Sequence, residues 1–265
     1  MTVQPTSRRR SVLAAAFFLA GATVAAESVR VRFAEGLVHG FLKLSALDGT
    51  ALADGDLIQT AQGNRVTSRL VFHFKDGSLH EETSVFSQRG QFRLISDRLT
   101  QRGPSFPRPL EMTVDGSGNA TVRYTDEHGQ SKTEQERIAP PADLANGVIL
   151  TLLKNVRRDA VPSEFSLIVA TPKPRLVKLK LQPSREESFS TGGASRKATH
   201  YVLKIDIGGL KGLLAPLAGK QPPDSHVWIL EGEAPAFVKS EQQLFMDGPV
   251  WRIELVSPVW PRAFN

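Results

Sequence analysis

The sequence predicts a mainly β protein: an antiparallel curved sheet or half-barrel, as one sheet or two sub-sheets, with one main helix at about 144–154. Three observations predict it. Short runs of alternating apolar and polar residues recur along the chain. Clusters of Gly, Pro, Asn and Asp separate them every 8–14 residues, the spacing of an antiparallel meander. One segment alone replaces alternation with apolar residues at helical spacing.

Before the first strand comes a leader. Arg8, Arg9 and Arg10 form a positive n-region, residues 12–26 carry no charge, and Val24-Ala25-Ala26 offers the small residues of a cleavage site. The pattern predicts a secretory signal over 1–26 and a single periplasmic β-rich domain over 27–265. The run from Ser7 to Leu13 also resembles a twin-arginine signal, so either export route is open. The uncharged stretch is shorter than the ~20 residues a membrane-spanning helix needs, and no later segment reaches that length.

The strands follow in order. Val29, Val31 and Phe33 alternate with Arg30 and Arg32, and 37–44 form a second strand. Residues 66–75 and 79–87 flank Asp76-Gly77, a hairpin turn signal. Strands at 91–99, 110–114, 120–124 and 131–137 complete the first set. Pro140, Pro141 and Asp143, the last as N-cap, open the helix, whose apolar face joins Leu144, Val148 and Leu152. Lys154, Arg157 and Arg158 stand near its C-terminal end, where the macrodipole favours cations. Strands resume at 165–170, 175–182, 199–207, 226–230, 236–245 and 250–256; Trp251, Ile253 and Leu255 share one face of the last. Residues 184–198, with Gly192-Gly193, are read as a mobile loop.

Composition removes several function classes. The formal net charge of +6 falls by three with the leader arginines, which leaves no basic footprint for nucleic acid. The chain has no cysteine, so neither thiol catalysis nor disulfides are available. No GxSxG elbow, P-loop or dinucleotide fingerprint is present, so no catalytic residue and no cofactor is assigned.

Two constellations remain. With Asp76 and Gly77 as a two-residue turn, His73 faces His80 and Phe74 faces Leu79. Glu82 then lies on the His73–His80 side, a candidate divalent metal set. The competing view of these residues is a solvated sheet face. The apolar but Gly- and Pro-broken stretch 210–220 is the second: Leu213, Leu214 and Leu217 form a candidate lip over an apolar cavity, with Trp228 and Trp251 as wall residues.

The helix Asp143–Leu153, the Lys-alternating strand 176–181, the segment His226-Val227-Trp228-Ile229-Leu230 and the closing strand 248–255 together resemble an uncharacterised bacterial periplasmic family, domain of unknown function 3108. The resemblance implies a curved antiparallel sheet like those of the lipoprotein carriers, with an apolar concave face, and no reaction.

These observations define three expectations. The first is a noncatalytic periplasmic binder of a lipid, another apolar ligand or an envelope partner. The second is a metal-dependent envelope enzyme using the His73/His80 face. The third is a structural or interaction module without a ligand cavity.

Overall fold

The computed structural model describes residues 28–126, 128–157, 163–169, 173–191, 194–206 and 222–256. The leader and the 210–220 stretch, with Leu213, Leu214 and Leu217, lie outside the described residues.

Fourteen strands form one antiparallel sheet. The first meander runs β1 (Val38–Ala46), β2 (Ala51–Gln62), β3 (Arg65–Phe74), β4 (Leu79–Arg89), β5 (Gln91–Arg102), β6 (Leu110–Asp115), β7 (Asn119–Thr125) and β8 (Ser131–Arg137). After helix α1 (Ile149–Asn155), the second runs β9 (Ser163–Val169), β10 (Arg175–Thr191), β11 (Ala194–Asp206), β12 (Ser225–Leu230), β13 (Ala236–Gln243) and β14 (Val250–Val256). Pairing of β1 with β14 joins the two meanders into one sheet, and β8 and β9 are its edges.

The expected strand at 29–33 is only a single bridge, Arg30 with Gln91. Conversely, β2 was hidden by its composition. Its inner positions Ala53, Gly55, Leu57 and Gln59 hold two residues too small to signal a strand. A Cβ at Gly55 would lie 2.4 Å from the Phe72 ring, so the aromatic takes the space the glycine leaves.

Register shifts at Leu44/Ser45, Val85/Phe86, Pro183/Glu186 and Trp228/Ile229 mark bulges, which increase local twist and bend the sheet. The inner faces of both meanders meet α1 in one cluster. Phe72, Phe86, Phe106 and Phe165 are its largest fully buried side chains. Trp251 and Ile253 belong to it, as the alternation of the last strand predicted.

The helix is shorter than its apolar pattern. Gly147 sits at φ 61°, and residues 143–148 form a strap along the edge of β9. Asp143 does not cap the helix. Its buried carboxylate accepts from Ser166 Oγ (2.7 Å) and Lys178 Nζ (3.1 Å). The Asn146 amide donates to Ile168 O (2.8 Å) and accepts from Ile168 N (2.9 Å). One side chain thereby supplies the ladder bonds a further strand would have made.

Residues 184–198 are not a loop. β10 and β11 continue through them as a long hairpin arm past the bulge at Pro183, up to residues 192–193 outside the described set.

Candidate functional site

Four separate segments converge at the C-terminal end of α1: the chain before β1, strands β2 and β4, and residues 233–235. The chain before β1 crosses this end because Asn155 Oδ1 accepts from both Arg32 N (2.8 Å) and Phe33 N (2.7 Å). Arg32 Nη1 adds a bond to Val156 O, and its guanidinium lies 5.2 Å from the Phe33 ring centroid. Two residues on, both backbone groups of Glu35 are held by one side chain of β4. Glu35 N donates to Gln88 Oε1 (2.7 Å), and Gln88 Nε2 donates to Glu35 O (3.1 Å).

The Glu35 carboxylate is then fixed at both oxygens. Lys154 Nζ lies 2.5 Å from Oε1, and Gln59 Nε2 of β2 donates to Oε2 (2.6 Å). Side-chain exposure of this ion pair is 18% for Lys154 and 6% for Glu35, so it is a desolvated charge pair. Such a pair persists when its geometry is good and further hydrogen bonds satisfy it. Lys154 stands in the last turn of the helix, where the dipole also favours it.

The pair forms one wall of an open cleft of ≈ 330 Å³. Phe33, Ala34 and the Glu233-Ala234-Pro235 segment between β12 and β13 line the rest. Glu233 is exposed and has no hydrogen-bond or ion-pair partner among the described residues. The arrangement carries one ammonium with donors to spare, one unpaired carboxylate and apolar walls. It can bind a small polar or amphipathic molecule. Lys154 was visible in the sequence as a helix-end cation. Glu35, Gln59, Gln88 and Asn155 were missed, since they come from four elements and share no spacing.

The sequence-predicted metal set is not assembled. The turn has three residues, Lys75, Asp76 and Gly77: Gly77 N donates to Phe74 O, Phe74 N donates to Ser78 O, and Gly77 adopts φ 84°. This is the turn-plus-bulge loop rather than a two-residue turn. The register therefore pairs His73 with Leu79 and Phe72 with His80. A one-residue change sends His73 to the opposite face from His80 and Glu82. His73 is exposed on the outside. His80 is buried between Phe72 and Phe106 and accepts from Gln101 Nε2 at Nδ1 (3.0 Å). Burial pushes its imidazole down to about 4, so it is a neutral core residue. Among the described residues no group of three or more His, Cys, Asp or Glu is placed to hold a metal ion.

Glu82 belongs instead to a carboxyl pair. Burial, and then the Asp97 charge, push Glu82 up to about 8; burial pushes Asp97 up to about 7, against the pull of a hydrogen bond from Ser84 Oγ (2.9 Å). Asp97 is 2% exposed, and its Oδ2 has no partner among the described residues. Glu82 keeps partial exposure, so its desolvation is the less complete of the two. Gly147 closes over the pair: a Cβ there would lie 1.8 Å from Ser84 Oγ and 2.6 Å from Asp97 Oδ1. No described cavity opens on these groups, so they bear on stability.

Trp228 and Trp251 do not line one cavity. Trp251 is packed among Phe74, Phe106 and Phe245 on the inner face. Trp228 lies on the outer face in a second cluster, because its neighbours Val227 and Ile229 point inward. Its ring stacks on His200 at 4.3 Å and 3°, Lys239 Nζ sits 3.9 Å from its centroid, and Nε1 donates to Glu187 (3.0 Å). His200 also hydrogen-bonds His226 (2.9 Å). The small cavity beside α1, lined by residues that include Phe92, Val148 and Phe165, is ≈ 10 Å³. That is room for about one water, not an acyl chain.

No family model matches the sequence, and no curated protein does. The likeness to domain of unknown function 3108 thus finds no support from a family model. The crystal structure of a β-barrel-like protein of domain of unknown function 1849 from Brucella abortus is similar in fold: 8% identity, 88% of this chain and 100% of that chain covered, TM-score 0.47. No helix among the described residues is long and apolar enough to cross a membrane, which says nothing of strands.

Proposed function

We propose that this is an exported, noncatalytic binding protein of the bacterial periplasm that holds a small molecule in the cleft at the C-terminal end of α1. The observation that carries the binding reading is the Glu35–Lys154 pair. A desolvated ion pair on a cleft wall, held by glutamines from strands β2 and β4, is a preorganised site with a supporting shell. The export reading rests on the arginine cluster, the uncharged core and the small residues before Glu27. A lipid held inside the sheet is less well supported, because the inner space beside the helix is filled.

Ala234 is the position for the test, since it is exposed, lines the cleft and is not a member of the ion pair. Protein recovered from the envelope fraction should begin near Glu27 and carry a bound small molecule in native mass spectrometry. Ala234→Trp should remove that molecule and leave the melting temperature within about 2 °C, as surface substitutions do. An identical ligand load in both proteins would refute the site, and full-length protein in the cytoplasm would refute the export.

A further inference from the structure

Resting on the reading of this cleft as the binding site, we infer that its ligand is a zwitterion with a separate ammonium and carboxylate, in the size class of an amino acid or dipeptide. The charge pattern of the lining argues for it. Three charged side chains face the cleft: Lys154, Glu35 and Glu233. Both Glu35 oxygens are occupied, by Lys154 and Gln59, so Glu35 has little left to offer a ligand. Lys154 makes one ion pair among the described residues and has three N–H donors, which leaves donors for another acceptor. Glu233 has no partner among the described residues and can accept from a cation.

Each simpler ligand leaves one of these unsatisfied. An anion alone would meet a lining with two carboxylates and one ammonium, and would be repelled by Glu233. A cation alone would pair with Glu233 but leave the spare Lys154 donors without an acceptor. A zwitterion satisfies both: its ammonium pairs with Glu233, and its carboxylate accepts charge-assisted bonds from Lys154. The Glu35–Lys154 pair has no net charge of its own, and the two charges of a zwitterion balance each other. Phe33, Ala34 and Pro235 leave an apolar wall for a side chain. A volume of ≈ 330 Å³ is at the small end of ligand sites.

The test uses three probes on the full mature protein: leucyl-alanine, its C-terminal amide and its N-acetyl form. Calorimetry and backbone NMR shifts are recorded for wild type, Glu233→Gln and Ala234→Trp. The free dipeptide should bind wild type at least tenfold more tightly than either capped form. Glu233→Gln should weaken the dipeptide about tenfold and leave the N-acetyl form unchanged or slightly tighter. Ala234→Trp should abolish all binding in the cleft. If a capped form binds as well as the free dipeptide, and Ala234→Trp abolishes it, the zwitterion is wrong and the cleft stands. If no probe shifts resonances of 33–35 or 233–235, the zwitterion inference is overturned, while the ligand carried by envelope-derived protein still decides the cleft.

Discussion

Asp97→Asn should flatten the fall in stability that the protein shows between pH 6.5 and 8.5. Both Glu82 and Asp97 have folded pKa values raised above those of the unfolded chain, to about 8 from 4.5 and to about 7 from 3.8. Between those limits the folded state holds protons that the unfolded state has released. The effect of this pair on stability is therefore most favourable at low pH and declines as pH rises. His80 works the other way. Its folded value of about 4 lies below 6.5, so its contribution is complete above 6.5 and is lost on acidification toward 4. Above pH 6.5 the carboxyl pair acts without that offset. At about 1.4 kcal/mol per proton per pH unit, the two groups together set a ceiling of about 3 kcal/mol over this window. The partial exposure of Glu82 reduces that to roughly 1–2 kcal/mol, or about 2–8 °C in Tm for a chain of this size. Asparagine keeps the acceptor for Ser84 Oγ and removes both the Asp97 proton and the charge that raises Glu82. Calorimetry at pH 6.5 and 8.5 should show wild type losing several degrees and the variant less than half of that. A wild-type Tm that stays level or rises across the window would refute the reasoning, as would an equal fall in the variant.

Gly147→Ala should cost roughly 2–4 kcal/mol, because φ is 61° and the added Cβ would strike Ser84 Oγ; Gly129→Ala, at φ 74° in open space, should cost only about 1 kcal/mol in the same denaturant titrations. Asn146→Ala leaves the buried N–H and C=O of Ile168 without partners and should lower stability by roughly 2–3 kcal/mol, with Ile168 losing hydrogen-exchange protection first. The hairpin register can be read chemically, since the chain has no cysteine: His73→Cys with Leu79→Cys should oxidise to a cross-strand disulfide, whereas His73→Cys with His80→Cys should stay reduced. Disulfide formation in the second pair and not the first would restore the two-residue turn.

The fold was largely legible because strands announce themselves locally. Alternation over five to ten residues is a property of the chain itself, and most strands began within a few residues of their expected starts. β2 escaped because its inward positions carry Ala53 and Gly55, whose space is filled by a side chain from β3. The helix was overextended because 144–148 are apolar at helical spacing for a different reason: they pack a strap against β9.

What the sequence determined by itself was the local periodicity, and with it the β class and, among the described residues, the strand count to within one or two and the single helix. Tertiary structure alone decided which face each strand turns inward and which polar groups meet. In His226-Val227-Trp228-Ile229-Leu230 both parities are apolar, so only packing against neighbouring strands could send Val227 inward and Trp228 outward. In the Asp76-Gly77 hairpin one extra loop residue separated His73 from His80, a choice that either turn chemistry allows. Glu35, Gln59, Gln88 and Lys154 meet across separations of 24 to 119 residues. Hydrophobic burial places strands through a repeating pattern, whereas a polar cluster needs each partner only once, and a single occurrence leaves no period to read.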